Sequence, residues 1–181
     1  MTRPIYRPPW RIDVTVRDGV RLPIAAGTLA GVAAEALSAA SAPSPASLGL
    51  FLTNDAELAD LNAEHMGKTG PTDVLSFPLL PPDAFPPHPG RAPSATGVLS
   101  FALPPGRRPH LGDIVVSVER AVEQAETGRG GHTGDVRWSA ADELRLLVTH
   151  GVLHVCGWDH ADPDEEAAMR ALERDLLGTA G

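Results

Sequence analysis

Apolar and polar residues follow strand-like patterns in four short segments of the chain. RIDVTV at 11–16 alternates strictly, and LGLFLT at 48–53 is a more continuous apolar run. DVLSFPL at 73–79 and DIVVSV at 113–118 are also rich in β-branched and aromatic residues. Pro78 cannot donate a hydrogen bond to a neighbouring strand, so the third segment should lie at a sheet edge or end there. The pattern therefore predicts a four-stranded sheet.

Five further segments are predicted to be helices, and the first and last of them carry apolar residues at helical spacing. Asn54 or Asp55 can cap the second helix, and Ser139 with Asp142 resembles a capping box before the fourth. Pro163 suits the first position of the fifth. The predicted helices are 23–40, 56–66, 119–127, 139–156 and 162–177. Strands and helices alternate irregularly, so we predict an α+β fold in which one mixed sheet packs with about five helices.

Residues 80–110 contain nine prolines and three glycines. This composition predicts a long inserted loop, in which only 97–103 has the character of a short strand. The chain has 181 residues and no internal repeat, which suits a single domain spanning 1–181 with this insertion.

The composition argues against a membrane protein and against a disulfide-stabilised one. Hydrophobic residues make up 43% of the chain, which is enough for a core. No apolar run approaches the ~20 residues of a membrane span, and the first residues lack the apolar segment of a secretory signal. Cys156 is the only cysteine, which excludes an intrachain disulfide. We expect a cytoplasmic protein without membrane contact.

The net charge of −8 argues against a protein that coats nucleic acid with its whole surface. The basic residues are nevertheless unevenly distributed. Residues 1–22 carry five Arg against two Asp, and residues 68–112 carry four basic residues against two acidic ones. If the chain meets RNA, we expect these segments to make the contact, with Lys68, Arg107 and Arg108 as candidate phosphate contacts. Ordinary scattered surface charge explains the distribution equally well.

Three histidines follow the spacing H-x3-H-x5-H. At about 3.6 residues per turn, His150 and His154 lie one turn apart on one face of the predicted helix. Gly157 can adopt a left-handed conformation that ends the helix and turns the chain back, bringing His160 to the same point. Three converging imidazoles are the ligands of a catalytic zinc site with one open position. The alternative is three unrelated histidines, but the spacing and the glycine favour the metal site.

The residues around these histidines limit the chemistry. Zinc peptidases with H-E-x-x-H carry a glutamate beside the first ligand as general base, and the longer H-E-x-x-H-x-x-G-x-x-H form has the spacing found here. Gly151 occupies the glutamate position, so we predict the metal site without this peptidase mechanism. Cys156 follows His154 by two residues and would point away from the metal, so we interpret it as a small buried hydrophobe.

Three blocks of sequence together resemble the YbeY family of bacterial rRNA-maturation endoribonucleases. They are Leu61-Asn62 with GPTDVLSFP at 70–78, LGDIVVS at 111–117, and HGVLHVCGWDH at 150–160 followed by acidic residues and Met169. Their order and spacing match the family over roughly residues 48–177. The histidine block is the most specific of the three.

The resemblance implies a zincin-like α+β fold with a four-stranded mixed sheet. It implies one zinc ion per chain, held by His150, His154 and His160 on a helix and the turn after it. It further implies a cytoplasmic, single-strand-specific endoribonuclease that matures the 3′ end of 16S rRNA and takes part in ribosome quality control. The implied partners are single-stranded RNA, 16S rRNA and ribosomal particles.

The chain departs from the family pattern in two places. The family often has Tyr-Arg shortly before the PTDVLSFP block, and this arginine has been proposed to act in catalysis or RNA binding. His65 and Met66 align there, so the guanidinium is absent, and Lys68 can replace it only as a point charge. The insertion at 80–110 is longer than the resemblance leads us to expect, and its Arg91 is a further candidate for RNA contact.

Metal-assisted hydrolysis of a phosphodiester can proceed in two ways here. A metal-bound water with a pKa of about 7 can attack and leave a linear phosphate. The neighbouring 2′-OH can instead attack and leave a 2′,3′-cyclic phosphate. The sequence keeps both open and identifies no general base. The resemblance places the strand with Thr72, Asp73 and Ser76 beside the metal, so it implies that these residues line the cleft. Asp73 could equally cap a turn.

Two residues beside the third histidine have a functional and a structural interpretation. Trp158 could stack an unpaired base, and Asp159 could orient a metal ligand. We favour a core role for Trp158 and a turn role for Asp159.

Two other functions fit the same motif. One is a non-catalytic ribosome-assembly factor with a structural metal, which would require a fourth protein ligand. The other is a zinc hydrolase of a small or peptide substrate, which would need a base from elsewhere because Gly151 supplies none.

Overall fold

The computed structural model describes residues 1–70, 72–91, 107–127 and 139–178. The possible strand at 97–103 lies outside these residues. The strands are β1 (Thr2–Arg7), β2 (Trp10–Val16), β3 (Ala46–Thr53), β4 (Val74–Pro78) and β5 (His110–Ser117). The helices are α1 (Ala26–Ala39), α2 (Asp55–Met66), α3 (Val118–Glu126), α4 (Ala140–Val155) and α5 (Pro163–Gly178). None of the helices in these ranges combines the length and apolar character needed to cross a bilayer.

The five strands form one mixed sheet in the order β1-β2-β3-β5-β4. The central strands β2, β3 and β5 run parallel, and the two edge strands β1 and β4 pair antiparallel with their neighbours. Pro78 ends β4, opposite Gly112, so the expected edge position of this strand is confirmed. The predicted α+β fold with a mixed sheet and five helices is also confirmed.

The predicted strand number of four was wrong, because the N-terminal residues form a fifth strand. β1 has the sequence TRPIYR and is exposed along most of its length, so it shows no alternation of buried and exposed residues. This strand is stabilised by antiparallel pairing with β2, in which Ile5 lies opposite Ile12. Pro4 is tolerated because an edge strand needs hydrogen bonds on one side only.

Helix α4 lies at the centre of the packing. It contacts the other helices α1, α3 and α5, and it lies against β4 and β5. The main core includes Leu50 and Ile114 from the sheet together with Leu144 and Val152 from α4. α2 covers β4 and β5 on the opposite face through Leu58 and its neighbours. This packing places the histidine-bearing helix directly beside the edge strand β4.

Candidate metal centre

The first two histidines lie on α4, which starts at a capping box. The Ser139 side chain accepts from the Asp142 N–H at 3.2 Å, and the Asp142 carboxylate accepts from the Ser139 N–H at 3.1 Å. This pair satisfies two N–H groups that the first helical turn leaves free. The helix then runs without interruption to Val155. His150 and His154 are therefore one turn apart on the same face, as predicted.

Gly151 lies where α4 makes its closest approach to the sheet. A Cβ atom at this position would lie 2.5 Å from Ile114 Cγ2 and 3.2 Å from Val74 Cγ2. The Gly151 carbonyl accepts from the Ser76 hydroxyl at 3.0 Å. A glutamate side chain at this position would have to displace Ile114, which is fully buried. Close helix–sheet packing thus explains why the peptidase glutamate has no counterpart here.

We expect Gly151→Ala to lower the free energy of unfolding by about 1–3 kcal/mol, because the added methyl overpacks the buried contact with Ile114. Gly27→Ala in α1 is the matched control, since no atom lies within 4 Å of its Cβ position. That control should be neutral or stabilising by up to about 1 kcal/mol. Urea unfolding measures both. Equal stability of Gly151→Ala and the wild type would contradict close packing of α4 on the sheet.

The chain turns back at Gly157, which has φ of +88°. The Gly157 N–H donates to the His154 carbonyl and the Trp158 N–H to the Leu153 carbonyl, each at 3.0 Å. This left-handed helix end is the conformation predicted from the glycine. It returns His160 to the helix face, where its Nε2 lies 3.0 Å from His154 Nε2.

The three Nε2 atoms form a triangle with sides of 3.0, 3.0 and 3.3 Å. Tetrahedral zinc with nitrogen ligands at about 2.0–2.1 Å separates those nitrogens by about 3.3 Å, so the triangle is close to the size that zinc requires. Within the described ranges, this is the one group of three or more His, Cys, Asp or Glu residues close enough to hold a metal. The structure therefore brings together all three sequence-predicted ligands.

Hydrogen bonds at Nδ1 fix the tautomer of two of the three histidine rings. His150 Nδ1 donates to Glu173 Oε1 at 2.6 Å, and His154 Nδ1 donates to the Trp158 carbonyl at 2.8 Å. Their Nε2 atoms therefore present lone pairs toward each other. Lone pairs at this separation repel unless a cation lies between them, so the donor set has the chemistry of a metal site.

The protonation of His154 also suits metal binding. Burial is the main cause that lowers the pKa of His154 to about 4, and the neighbouring His150 and His160 lower it further. The ring is consequently neutral at pH 7, which is the form that coordinates a metal.

Glu173 is a residue at the candidate site that sequence reasoning missed. Its side chain is 4% exposed and its carboxylate contacts the first histidine. Glu165, Met169 and Glu173 are spaced by four residues and are all buried on α5. Two acidic residues on the buried face of an amphipathic helix need partners. This pattern was therefore the feature of the sequence that could have identified Glu173.

The residues flanking the third histidine have structural contacts. Trp158 is buried, as expected for a core residue. The Asp159 carboxylate accepts from the His160 N–H at 2.7 Å, which fits its turn role. Cys156 is buried, and burial raises the pKa of its thiol to about 12. It does not belong to the group of candidate metal ligands found among the described residues.

The three expected cleft residues lie in β4 or just before it, and the Thr72 hydroxyl donates to Asp73 Oδ1 at 3.4 Å. The Asp73 carboxylate accepts from the Val74 N–H at 2.9 Å and from the Gln124 amide at 3.3 Å, so it stabilises the turn before β4. Ser76 contacts the backbone of the metal helix through Gly151.

The candidate phosphate contacts are exposed but dispersed. Lys68, Arg107 and Arg108 all lie at the surface. Arg108 donates to the Pro9 carbonyl at 2.7 Å, next to β2, which β3 and β5 separate from β4. Met66, at the position where the resemblance expects arginine, is 47% exposed. RNA binding by these residues stays a prediction.

The chain is similar to known proteins along most of its length. Residues 24–181 match the family model described as Endoribonuclease YbeY. A protein named Endoribonuclease YbeY from Thermobifida fusca is 39% identical over 166 residues, covering 92% of this chain and 91% of the relative. One from Beutenbergia cavernae is 42% identical over 134 residues, 74% of each chain. The solution structure of a Thermotoga maritima protein matches at 19% identity and a TM-score of 0.49, covering 93% of this chain and 90% of that one. The family model and the two sequence relatives show that this chain belongs to the YbeY endoribonuclease family.

Proposed function

We propose that this chain is a single-domain, metal-dependent endoribonuclease that cuts single-stranded RNA. One zinc ion per chain would be held by His150, His154 and His160, in a zincin-like arrangement of helix and turn. The observation that carries the proposal is the triangle of Nε2 atoms with sides of 3.0–3.3 Å. Family membership supports RNA as the substrate. We further propose action in the cytoplasm on ribosomal particles, in maturation of the 16S rRNA 3′ end and in ribosome quality control.

The number of ligands favours an enzyme over a structural metal site. Structural zinc sites have four protein ligands, whereas catalytic sites have three and keep one position open. The group found in the described part of the chain has three. The candidate for a fourth, Cys156, is buried in the main core. His160 is exposed, so the open position would face solvent, where RNA can approach.

The residues of the chain prepare the site for this chemistry. Bound zinc would supply an acidified water or polarise a phosphoryl oxygen. Glu173 and the Trp158 carbonyl hold the His150 and His154 rings with their Nε2 lone pairs directed inward. Gly151 packs against the sheet and supplies no carboxylate, so the proton of the attacking group cannot pass to a glutamate at this helix position.

Zinc-dependent cleavage of RNA tests the proposal. We would titrate metal-free protein with zinc and incubate it with single-stranded RNA from the 16S 3′ end, with a duplex of the same sequence as control. Cleavage of the single strand should return at one equivalent of zinc, and the product termini would identify the nucleophile. Bound zinc without cleavage of naked RNA or ribosomal particles would favour the assembly factor. Cleavage of a peptide library instead of RNA would favour the other hydrolase.

The arginines before β5 provide a separate prediction on RNA binding. Reversing Arg107 and Arg108 to Glu should weaken binding of single-stranded RNA and lower the slope of log affinity against log salt by about 1.4, because each phosphate that a basic side chain neutralises accounts for about 0.7 of that slope. Arg174→Glu, an exposed site on α5, is the control for a general charge effect. Unchanged affinity and slope in the double variant would remove these residues from the RNA-binding surface.

A further inference from the structure

Residues 82–91 form a strap that lies against the metal loop, which we define as residues 157–162. The strap is anchored in the main core by Phe85, which is 6% exposed. At its other end, Arg91 Nη1 donates to the Gly157 carbonyl at 2.7 Å. The strap therefore contacts the loop that carries the third histidine, although the two are far apart in sequence.

The central contact of the strap is a buried pair formed by His88 and Glu165. His88 Nε2 donates to Glu165 Oε1 at 2.6 Å, and each side chain is only 8% exposed. The same carboxylate oxygen accepts from the Asp159 N–H at 2.9 Å. The His88 ring also stacks on Trp158, with centroids 3.9 Å apart and planes inclined by 10°. His88 thus contacts one residue of the metal loop directly and a second through Glu165.

The strap makes close backbone contacts with both the start of α5 and the metal loop. Gly90 has φ of +84°, and a Cβ atom there would lie 2.3 Å from the Glu165 nitrogen. A Cβ atom on Gly157 would lie 3.2 Å from Pro82 Cα. The strap consequently contacts the chain on both sides of His160, at Gly157 before it and at Glu165 after it.

We propose that His88 is a positioning residue of the metal centre, holding the metal loop in the conformation that presents His160 before the metal binds. The inference rests on the proposed function. His150 and His154 are fixed by a helix, whereas His160 lies on a loop. Ordering that loop on metal binding would cost conformational entropy, and a loop already held by His88 and Glu165 avoids the cost. The strap therefore acts on metal affinity through residues that do not touch the metal.

Zinc affinity, measured by competition with a chelator of known affinity, tests this role. We expect His88→Ala to weaken zinc binding by about 10–100-fold, the range found for residues that orient metal ligands. His88→Gln, which keeps a donor toward Glu165, should recover part of the loss. His110→Ala is the matched control, because His110 also pairs with a carboxylate, Asp113 Oδ1 at 2.9 Å, but lies at the start of β5. Its zinc affinity should equal that of the wild type.

A purely structural role would give a different result. His88→Ala would then lower the melting temperature of the metal-free protein and leave zinc affinity within twofold of wild type, which would overturn the inference. If His88→Ala fails to fold, Arg91→Ala is the second variant, because it removes the hydrogen bond to the Gly157 carbonyl without opening the core. The zinc affinity of Arg91→Ala must then fall for the inference to hold. If the wild-type protein itself binds no zinc, the proposed function fails and this inference with it. Wild-type binding with unaffected variants overturns the strap role alone.

Discussion

His154→Ala should abolish zinc binding and lower RNA cleavage by about a thousandfold or more. His154 Nε2 lies 3.0 Å from the Nε2 atoms of both His150 and His160. Its replacement therefore leaves only two of the three nitrogens that would hold the ion. Metal catalysis supplies several kcal/mol of transition-state stabilisation, and about 4 kcal/mol corresponds to about a thousandfold in rate. Metal analysis and cleavage assays on the same samples measure both effects.

Thermal unfolding with and without zinc separates loss of the metal from loss of the fold. Zinc at 100 times its dissociation constant should stabilise the wild type by about 2.7 kcal/mol and should leave the melting temperature of His154→Ala unchanged. His65→Ala is the matched control, because this histidine lies outside the histidine triangle. It is about half-exposed, and its ring contacts Phe77 in an edge-on geometry. Full zinc content in His154→Ala would show that the histidine triangle is not the metal site.

Glu173→Ala should weaken zinc binding by about 10–100-fold, although Glu173 does not belong to the histidine cluster itself. Its carboxylate accepts from His150 Nδ1 at 2.6 Å in a buried position and so fixes the ring orientation and the proton. Without it, His150 loses this hydrogen bond and the constraint that it places on the ring. Chelator competition measures the zinc affinity.

Glu173→Gln and Asp175→Ala complete this test. The glutamine carbonyl can still accept from His150, so its loss of affinity should be smaller than that of alanine. Asp175 is exposed on the same helix, and its replacement controls for a general loss of negative charge. Equal zinc affinity in Glu173→Ala and wild type would mean that Glu173 does not orient His150.

Local patterns in the sequence were sufficient to predict the strands and helices that bury one face. They were also sufficient to predict the histidine centre. The H-x3-H-x5-H spacing with Gly157 predicted both the helix face and the turn, because these depend on helix geometry and on one glycine conformation. The capping box at Ser139 and the edge position of β4 were also predictable, because each follows from residues that are close together in the sequence. The family resemblance is confirmed by the match over residues 24–181.

Features that depend on tertiary contacts could not be predicted. β1 has no alternation of its own and exists through pairing with β2. The contact between Glu173 and His150 joins two helices, and the pairing of His88 with Glu165 joins residues 77 positions apart. The proline content of the 80–110 segment indicated a loop but carried no information about the surface against which residues 82–91 pack.

X-ray absorption at the zinc edge of the purified protein tests the open three-histidine centre most directly. We predict one zinc per chain, with three imidazole nitrogens and one solvent oxygen at about 2.0–2.1 Å. A sulfur ligand at about 2.3 Å, a fourth protein ligand in place of the oxygen, or no zinc would contradict the open catalytic site.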